Sequence, residues 1–135
     1  MLQAKYRRLT PLEALVMDAV WQLDEATVRQ VKDHLKADRP MAYNTVLTMM
    51  RILREKGFLK TRRHGRMDIY RPIVSKDQAA RSSVGELLDR FFAGSATALV
   101  SQLLQSERIG ADQMRQIRRQ VDSKLREESR AGGRS

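Results

Sequence analysis

The spacing of apolar residues changes at Gly57, and this change limits most strongly the folds that the chain can adopt. Before Gly57, apolar residues recur every three to four positions, as in helices that bury one face. After it, two short runs, residues 58–63 and 66–71, alternate between polar and apolar positions around His64-Gly65. Alternating runs around a glycine-containing turn predict a β-hairpin. We therefore expect a mainly α-helical fold with one small hairpin.

Start and stop signals divide the segment before Gly57 into three helices. Thr10-Pro11-Leu12-Glu13 combines a Thr N-cap, an early proline and a capping-box glutamate, and so predicts the start of the first helix. Thr27-Val28-Arg29-Gln30 predicts the start of a second helix, which ends near Lys36 before Asp38-Arg39-Pro40. A third is predicted over residues 42–56, with Gly57 as its stop. Three short helices before a hairpin are typical of a winged helix-turn-helix domain.

The third helix has one apolar face and one polar face. In helix-turn-helix proteins the second helix of the motif lies in the major groove, and here that element is the third helix. The other interpretation is an ordinary solvated helix face. Tyr43, at the helix start, is either a core aromatic or a hydrogen-bond donor to phosphate. The apolar positions are Val46, Met49, Met50 and Leu53, and the predicted DNA-facing residues are Asn44, Thr45, Thr48 and Arg51.

Positive charge is concentrated in the segment that contains the third helix and the hairpin. The chain has 26 Lys and Arg against 16 Asp and Glu, a formal net charge of +10. Residues 41–71 alone hold eight basic and two acidic residues. Because cations that neutralise phosphates release counterions, this distribution favours a nucleic-acid partner. Guarding an exposed strand edge is the alternative use of such charges. The predicted phosphate contacts at the hairpin tip are Arg62, Arg63, His64 and Arg66.

The rest of the chain predicts three further helices with apolar stripes. An extension of this size cannot cover all of these stripes, so burial against a second copy of the chain is the most economical solution. Packing within one monomer is the alternative. We expect a winged-helix domain at residues 1–73, a helical dimerisation region at 74–128 and a disordered tail at 129–135. The predicted dimerisation residues are Leu87, Leu88, Phe91, Phe92, Leu99, Leu103, Met114, Ile117 and Val121.

Several classes of function find no support in the sequence. The chain has no cysteine and only two histidines, His34 and His64, on different predicted elements, so we expect no metal site. It has no phosphate-binding glycine loop and no nucleophile, acid or base constellation, and we expect neither a cofactor nor enzymatic activity. The longest charge-free run, residues 91–106, is too short and too polar to insert into a membrane. With no export signal visible, we expect a cytoplasmic protein.

Three segments of the chain share a pattern with one family of proteins. They are Leu9-Thr10 with Glu13, Val16-Met17 and Val20-Trp21; Ala42-Tyr43-Asn44-Thr45-Val46 with Leu53 and Lys56-Gly57-Phe58-Leu59; and Tyr70-Arg71-Pro72. In this order and spacing they resemble the penicillinase-repressor family of BlaI, MecI and CopY. The resemblance implies a homodimeric winged-helix repressor on an inverted-repeat operator, with half-sites similar to TACA and TGTA. It also implies base contacts from Asn44, Thr45, Thr48 and Arg51, although many relatives have Thr-Thr where this chain has Asn44-Thr45.

The same resemblance suggests how repression would end. Copper-responsive members bind metal through a cysteine-rich C-terminal hook, which this cysteine-free chain lacks. In antibiotic-responsive members a membrane-bound sensor protease cleaves an Asn-Phe bond in the dimerisation arm, and the corresponding bond here is Gln102-Leu103.

The alternative hypothesis for the function is that the chain binds structured RNA as an assembly factor, since winged helices also serve that role.

Overall fold

A computed structural model of the chain describes residues 8–35 and 39–132. The predicted stop of the second helix at Lys36 and Asp38 lies outside the described residues. The chain divides into two compact units, Met1–Glu86 and Leu87–Ser135. In chain order the elements are α1 (Pro11–Leu23), α2 (Val28–Leu35), α3 (Tyr43–Glu55), β1 (Leu59–His64), β2 (Met67–Pro72), α4 (Lys76–Phe91), α5 (Ala96–Gln105) and α6 (Ala111–Gly132). The mainly helical fold with one hairpin is confirmed.

Reciprocal capping fixes the starts of three helices. At α1, the Glu13 backbone N–H donates to Thr10 Oγ1 (3.2 Å), and the Thr10 N–H donates to Glu13 Oε1 (2.8 Å). Thr27 and Gln30 make the same pair of bonds at α2, and Ser75 and Gln78 make it at α4. Each pair satisfies helix N–H groups that have no partner inside the helix. Local sequence therefore determines where these helices begin.

The first unit packs three helices and the hairpin around one apolar core. The strands pair antiparallel with Thr61 opposite Tyr70, and Tyr70 also forms a bridge with Ala26, in the connection between α1 and α2. This bridge anchors β2 to the helices on the side away from β1. Side chains from every one of these elements meet in the core, including Val16, Met17, Val20, Val31, Val46, Met50, Leu53, Leu59 and Tyr70.

The first unit extends beyond the domain boundary that we predicted at residue 73. Val74 and Ala79 are buried in the core cluster, and Trp21 Nε1 donates to the Val74 carbonyl at 2.9 Å. Lys76 Nζ lies 2.9 Å from Asp18 Oδ1. These contacts attach the first turns of α4 to α1, so α4 begins in the first unit and ends in the second. The apolar pattern missed this boundary because one helix runs across it.

The second unit consists of helices without a core of their own. Neither α5 nor α6 contains a buried residue. Ala93 and Gly94 both have positive φ, 49° and 79°, and separate α4 from α5. The prediction that disorder begins at residue 129 is wrong for residues 129–132, which continue α6 to Gly132. No proline or glycine interrupts this stretch before Gly132. The positive charge of Arg130 in the last turn also interacts favourably with the negative end of the helix dipole.

Candidate nucleic-acid interface

α3 presents a continuous polar face to solvent. Val46, Met50 and Leu53 are fully buried and fix the rotation of the helix about its axis. Met49 is half-buried against the same core. The helical period then places the opposite positions outside, and all four predicted DNA-facing residues are exposed: Asn44, Thr45, Thr48 and Arg51. Two of these side chains carry hydroxyls, one an amide and one a guanidinium.

The start of α3 is exposed and has no side-chain cap. Ala42 is the N-cap residue and cannot accept a hydrogen bond from the first turn through its side chain. Tyr43 is 42% exposed, which excludes the core interpretation. The guanidinium carbon of Arg29, on α2, lies 5.7 Å from the centre of the Tyr43 ring, within cation–π range. Sequence spacing gave no sign of Arg29, because the contact joins two helices.

The end of α3 determines where the wing, the hairpin of β1 and β2, begins. Gly57 has φ of 89°, and the N–H groups of Gly57 and Phe58 donate to the carbonyls of Arg54 (3.1 Å) and Leu53 (3.0 Å). These two bonds form a Schellman motif, with buried Phe58 against Leu53. The predicted stop at Gly57 is confirmed. Because Phe58 completes the helix end, β1 starts one residue later than the alternating pattern indicates.

The turn of the wing consists of Gly65 and Arg66 rather than His64 and Gly65. Gly65 has φ of 62° and occupies the first central position, where a type II′ turn requires glycine. His64 consequently pairs with Met67 at the end of the ladder. The four predicted tip residues, Arg62, Arg63, His64 and Arg66, are all exposed.

Acidic neighbours partly neutralise two of the tip cations. Arg62 Nη2 lies 3.0 Å from Glu25 Oε1, and Arg63 Nη1 lies 3.2 Å from Asp68 Oδ1. Asp68 is directly opposite Arg63 in the ladder. Sequence reasoning counted these arginines as free cations because it could not locate Glu25, which precedes the bridge at Ala26.

A second pair of cations, outside the predicted site, lies at the other end of the wing. Lys60 and Arg71 are directly opposite each other in the ladder, and both are exposed. Like charges in this position destabilise a hairpin unless an anion lies between or beside them. Counting outward from the Gly65-Arg66 turn would have found this pair. In the described part of the chain, five cations of α3 and the wing make no ion pair: Arg51, Arg54, Lys60, Arg66 and Arg71.

Two other kinds of site have no counterpart within residues 8–35 and 39–132. No group of three or more histidine and carboxylate side chains there has an arrangement that could hold a metal ion. None of the described helices has the length and apolar character needed to cross a bilayer.

Three helices followed by a cationic hairpin define a winged-helix domain. The family model described as penicillinase repressor matches residues 9–123, and the chain belongs to this family. The resemblance that the sequence suggested is therefore confirmed, and the family is one of repressors.

Individual relatives agree with this assignment. The chain is 37% identical over 118 residues to the transcriptional regulator BlaI of Mycobacterium tuberculosis, covering 86% of this chain and 84% of the relative. It is 21% identical over 113 residues to the penicillinase repressor of Bacillus licheniformis, covering 84% and 88%. The solution structure of the DNA-binding domain of the repressor BlaI superposes with a TM-score of 0.50 at 24% identity, covering 55% of this chain and 90% of that one. That superposition supports the winged-helix fold.

Proposed function

We propose that the protein is a sequence-specific DNA-binding repressor that binds an inverted-repeat operator as a homodimer in the cytoplasm. The observation that carries the proposal is the exposed polar face of α3 beside a wing rich in cations. A helix of this kind fits the major groove of B-DNA, which is wide enough to admit it. The family assignment supports the repressor role.

Base readout is assigned to the exposed face of α3. Asn44 offers an amide that can pair with adenine through two hydrogen bonds, and Arg51 offers a guanidinium suited to guanine. Thr45 and Thr48 can donate or accept hydrogen bonds and can contact the thymine methyl group. All four side chains are short or exposed enough to reach base edges without rearrangement of the core.

Phosphate contacts are assigned to the wing and to the start of α3. Arg66 and His64 at the tip, with Arg62 and Arg63 behind them, would lie along the DNA backbone and position the protein without reading sequence. Glu25 and Asp68 hold Arg62 and Arg63 in defined orientations, and these ion pairs would be shared with phosphate on binding. Tyr43 is exposed, and its hydroxyl would donate a hydrogen bond to a phosphate oxygen.

Dimerisation is assigned to the second unit, whose apolar side chains are at most half-buried within one chain. Phe91 is 70% exposed and Val121 is 50% exposed. Monomeric proteins seldom expose large contiguous apolar surfaces, so stripes of such residues indicate an interaction surface. Pairing with a second copy would bury these stripes and place two α3 helices on one operator. Of the other predicted dimerisation residues, Leu87, Leu103, Met114 and Ile117 are exposed, and Leu88, Phe92 and Leu99 are half-buried.

Derepression is proposed to follow cleavage of the Gln102-Leu103 bond by a membrane-bound sensor protease. Both residues are exposed and lie inside α5. A protease requires extended substrate, so α5 must open locally. A ten-residue helix with no buried residue has little to hold it closed. Cutting there would separate the first unit from α6.

The decisive experiment is selection of bound fragments from random duplex DNA by the purified full-length protein. We expect an enriched inverted repeat whose two halves are related by two-fold symmetry. The double variant Asn44→Ala/Thr48→Ala should lose that enrichment and should keep weak binding to all duplexes. The absence of an enriched motif would contradict the proposal. A preference for duplex RNA in competition would contradict it too, because side chains cannot read the deep, narrow major groove of A-form RNA and binding there would not use the exposed face of α3 in this way.

A further inference from the structure

An ion pair between a buried carboxylate and a partly exposed lysine joins the beginning of α1 to the end of α3. Lys56 Nζ lies 2.7 Å from Glu13 Oε1 and donates a second bond, of 3.1 Å, to the Arg8 carbonyl. Glu13 is 3% exposed and is the only buried charged residue in the described part of the chain. The pair joins positions 43 residues apart in sequence.

Glu13 performs two tasks with one carboxylate oxygen. Oε1 accepts the capping bond from the Thr10 N–H and the bond from Lys56. Capping needs only the first of these bonds, and many capping glutamates are exposed to solvent. The bond to Lys56 therefore attaches the C-cap residue of α3 to a rigid helix start.

The location of Lys56 makes its attachment relevant to DNA reading. Lys56 is the C-cap residue of α3 and directly precedes Gly57, where the chain turns into the wing. α3 is 13 residues long, about 20 Å, and contacts to base edges tolerate errors of only about 0.5 Å. A small change at the end of this helix tilts its whole exposed face.

Lys56 is poorly placed to contact phosphate itself. Its side chain is 20% exposed, and its ammonium group already donates to a carboxylate and to a carbonyl. The exposed cations of the wing, Lys60 and Arg66, have no such partners within the described residues.

We propose that the Glu13–Lys56 pair positions the DNA-reading surface for operator recognition, because it holds α3 and the wing in one orientation relative to α1. This inference rests on the proposed function, since it concerns how the same surface discriminates between DNA sequences. Neither residue touches DNA in this arrangement. Loss of the pair lowers the preference for the operator over random DNA, and the electrostatic attraction to all DNA remains.

The test measures the affinity of full-length Lys56→Met, Glu13→Gln and the double variant for the selected operator and for a random duplex, over a series of salt concentrations. We expect Lys56→Met to lower the operator-to-random ratio about tenfold, as for one lost base contact. The salt dependence on random DNA should not change, and Lys56→Arg should restore part of the ratio. The double variant should be no worse than Lys56→Met alone, because both changes remove one interaction.

Two controls distinguish positioning from a loss of charge and from a loss of stability. Lys124→Met removes a lysine charge on α6 and should leave the ratio unchanged. Val20→Ala destabilises the core of the first unit, and it too should leave the ratio unchanged at temperatures where the protein is folded. If Lys56→Met does not fold by circular dichroism, Lys56→Arg and Glu13→Gln carry the test, with a smaller fall in the ratio expected for Glu13→Gln.

Three results would overturn the positioning role. The first is an unchanged operator-to-random ratio in the folded variants. The second is equal weakening on both duplexes with a shallower salt dependence, which would make Lys56 a phosphate contact. The third is an equal fall in the ratio for Val20→Ala, which would attribute the effect to general destabilisation. Absence of any sequence preference in the wild-type protein would instead refute the proposed function itself.

Discussion

Glu13 is ionised inside the first unit because its hydrogen bonds outweigh the cost of its burial. Burial alone raises the pKa of this carboxyl. The bonds from Lys56 and from the Thr10 N–H, together with the charge of Lys56, lower it, and the net pKa lies below the usual glutamate range. Protonation therefore costs more in the folded protein than in the unfolded chain.

This pKa predicts how the stability of the protein depends on pH. A lowered folded-state pKa gives stability that is complete above about pH 4.3, the ordinary glutamate value, and is lost as the pH falls through the folded value. Glu13→Gln should cost about 1 to 3 kcal/mol at pH 7. It should also flatten the decline in stability as the pH falls below about 4.3. Urea unfolding at several pH values measures both effects. An identical pH dependence in the variant would show that Glu13 does not titrate in this way.

Asp24 predicts a gain in stability from a single substitution. It ends α1 with φ of 73° and ψ of −52°, a backbone conformation that strains residues with a Cβ. Asp24→Gly should stabilise the protein by about 1 kcal/mol, and Asp24→Ala, which keeps the strain, should not. Thermal unfolding of the two variants side by side provides the measurement. Equal stability of the glycine and alanine variants would argue against strain at this position.

Single residues also show which contacts sequence can reveal. The capping role of Glu13 was predictable because Thr10 is three residues away, and its bond to Lys56 was not, because that partner is distant in sequence. The exposed positions of α3 were predictable from the helical period. The partial neutralisation of Arg62 by Glu25 was not, because it depends on the bridge between Ala26 and Tyr70.

At the scale of elements, the junction between α3 and the wing depends on Gly57. A residue with a Cβ at φ of 89° is strained, so Gly57→Ala should cost about 1 to 2 kcal/mol. Gly85→Ala is the matched control, because a Cβ at Gly85, inside α4, meets nothing within 4 Å. That change should stabilise by about 0.5 to 1 kcal/mol. Denaturant unfolding measures both, and a neutral effect at Gly57 would contradict the conformation of this junction.

Element boundaries followed from local signals wherever a single cap or turn determines them. The three capping pairs and the Gly57 stop were visible in the sequence for this reason. The strands were displaced by one residue, because Phe58 is used to close α3 and Gly65 takes the first turn position. The end of α6 was missed because polarity alone does not end a helix.

At the scale of the whole molecule, the uncovered stripes of the second unit predict a dimer. Ile117→Lys places a charge on the apolar stripe of α6 and should produce monomers, because burying that charge against a partner is costly. Ser123→Lys, on the opposite side of the same helix, should remain dimeric. Sedimentation equilibrium distinguishes the two states. A monomeric wild-type protein, or a dimeric Ile117→Lys variant, would contradict the assignment of this surface.

The division of the chain shows what pattern alone does not determine at this scale. Apolar periodicity located the helices of the described residues but could not place the boundary at Glu86, because α4 contributes Ala79 to the core of the first unit and then continues into the second. The proposed symmetry of the operator complex depends on that second unit.

The central claim, that α3 reads sequence and the wing supplies general affinity, is tested most directly by one titration. Operator and random duplexes are titrated at several salt concentrations with the wild-type protein, Thr48→Ala and Arg66→Ala. Thr48→Ala should lose about 1 to 3 kcal/mol on the operator alone and keep its salt dependence. Arg66→Ala, which removes a tip cation without an acidic partner in the described residues, should weaken both duplexes and reduce the salt slope by about one. Equal weakening of both duplexes by Thr48→Ala would contradict the claim.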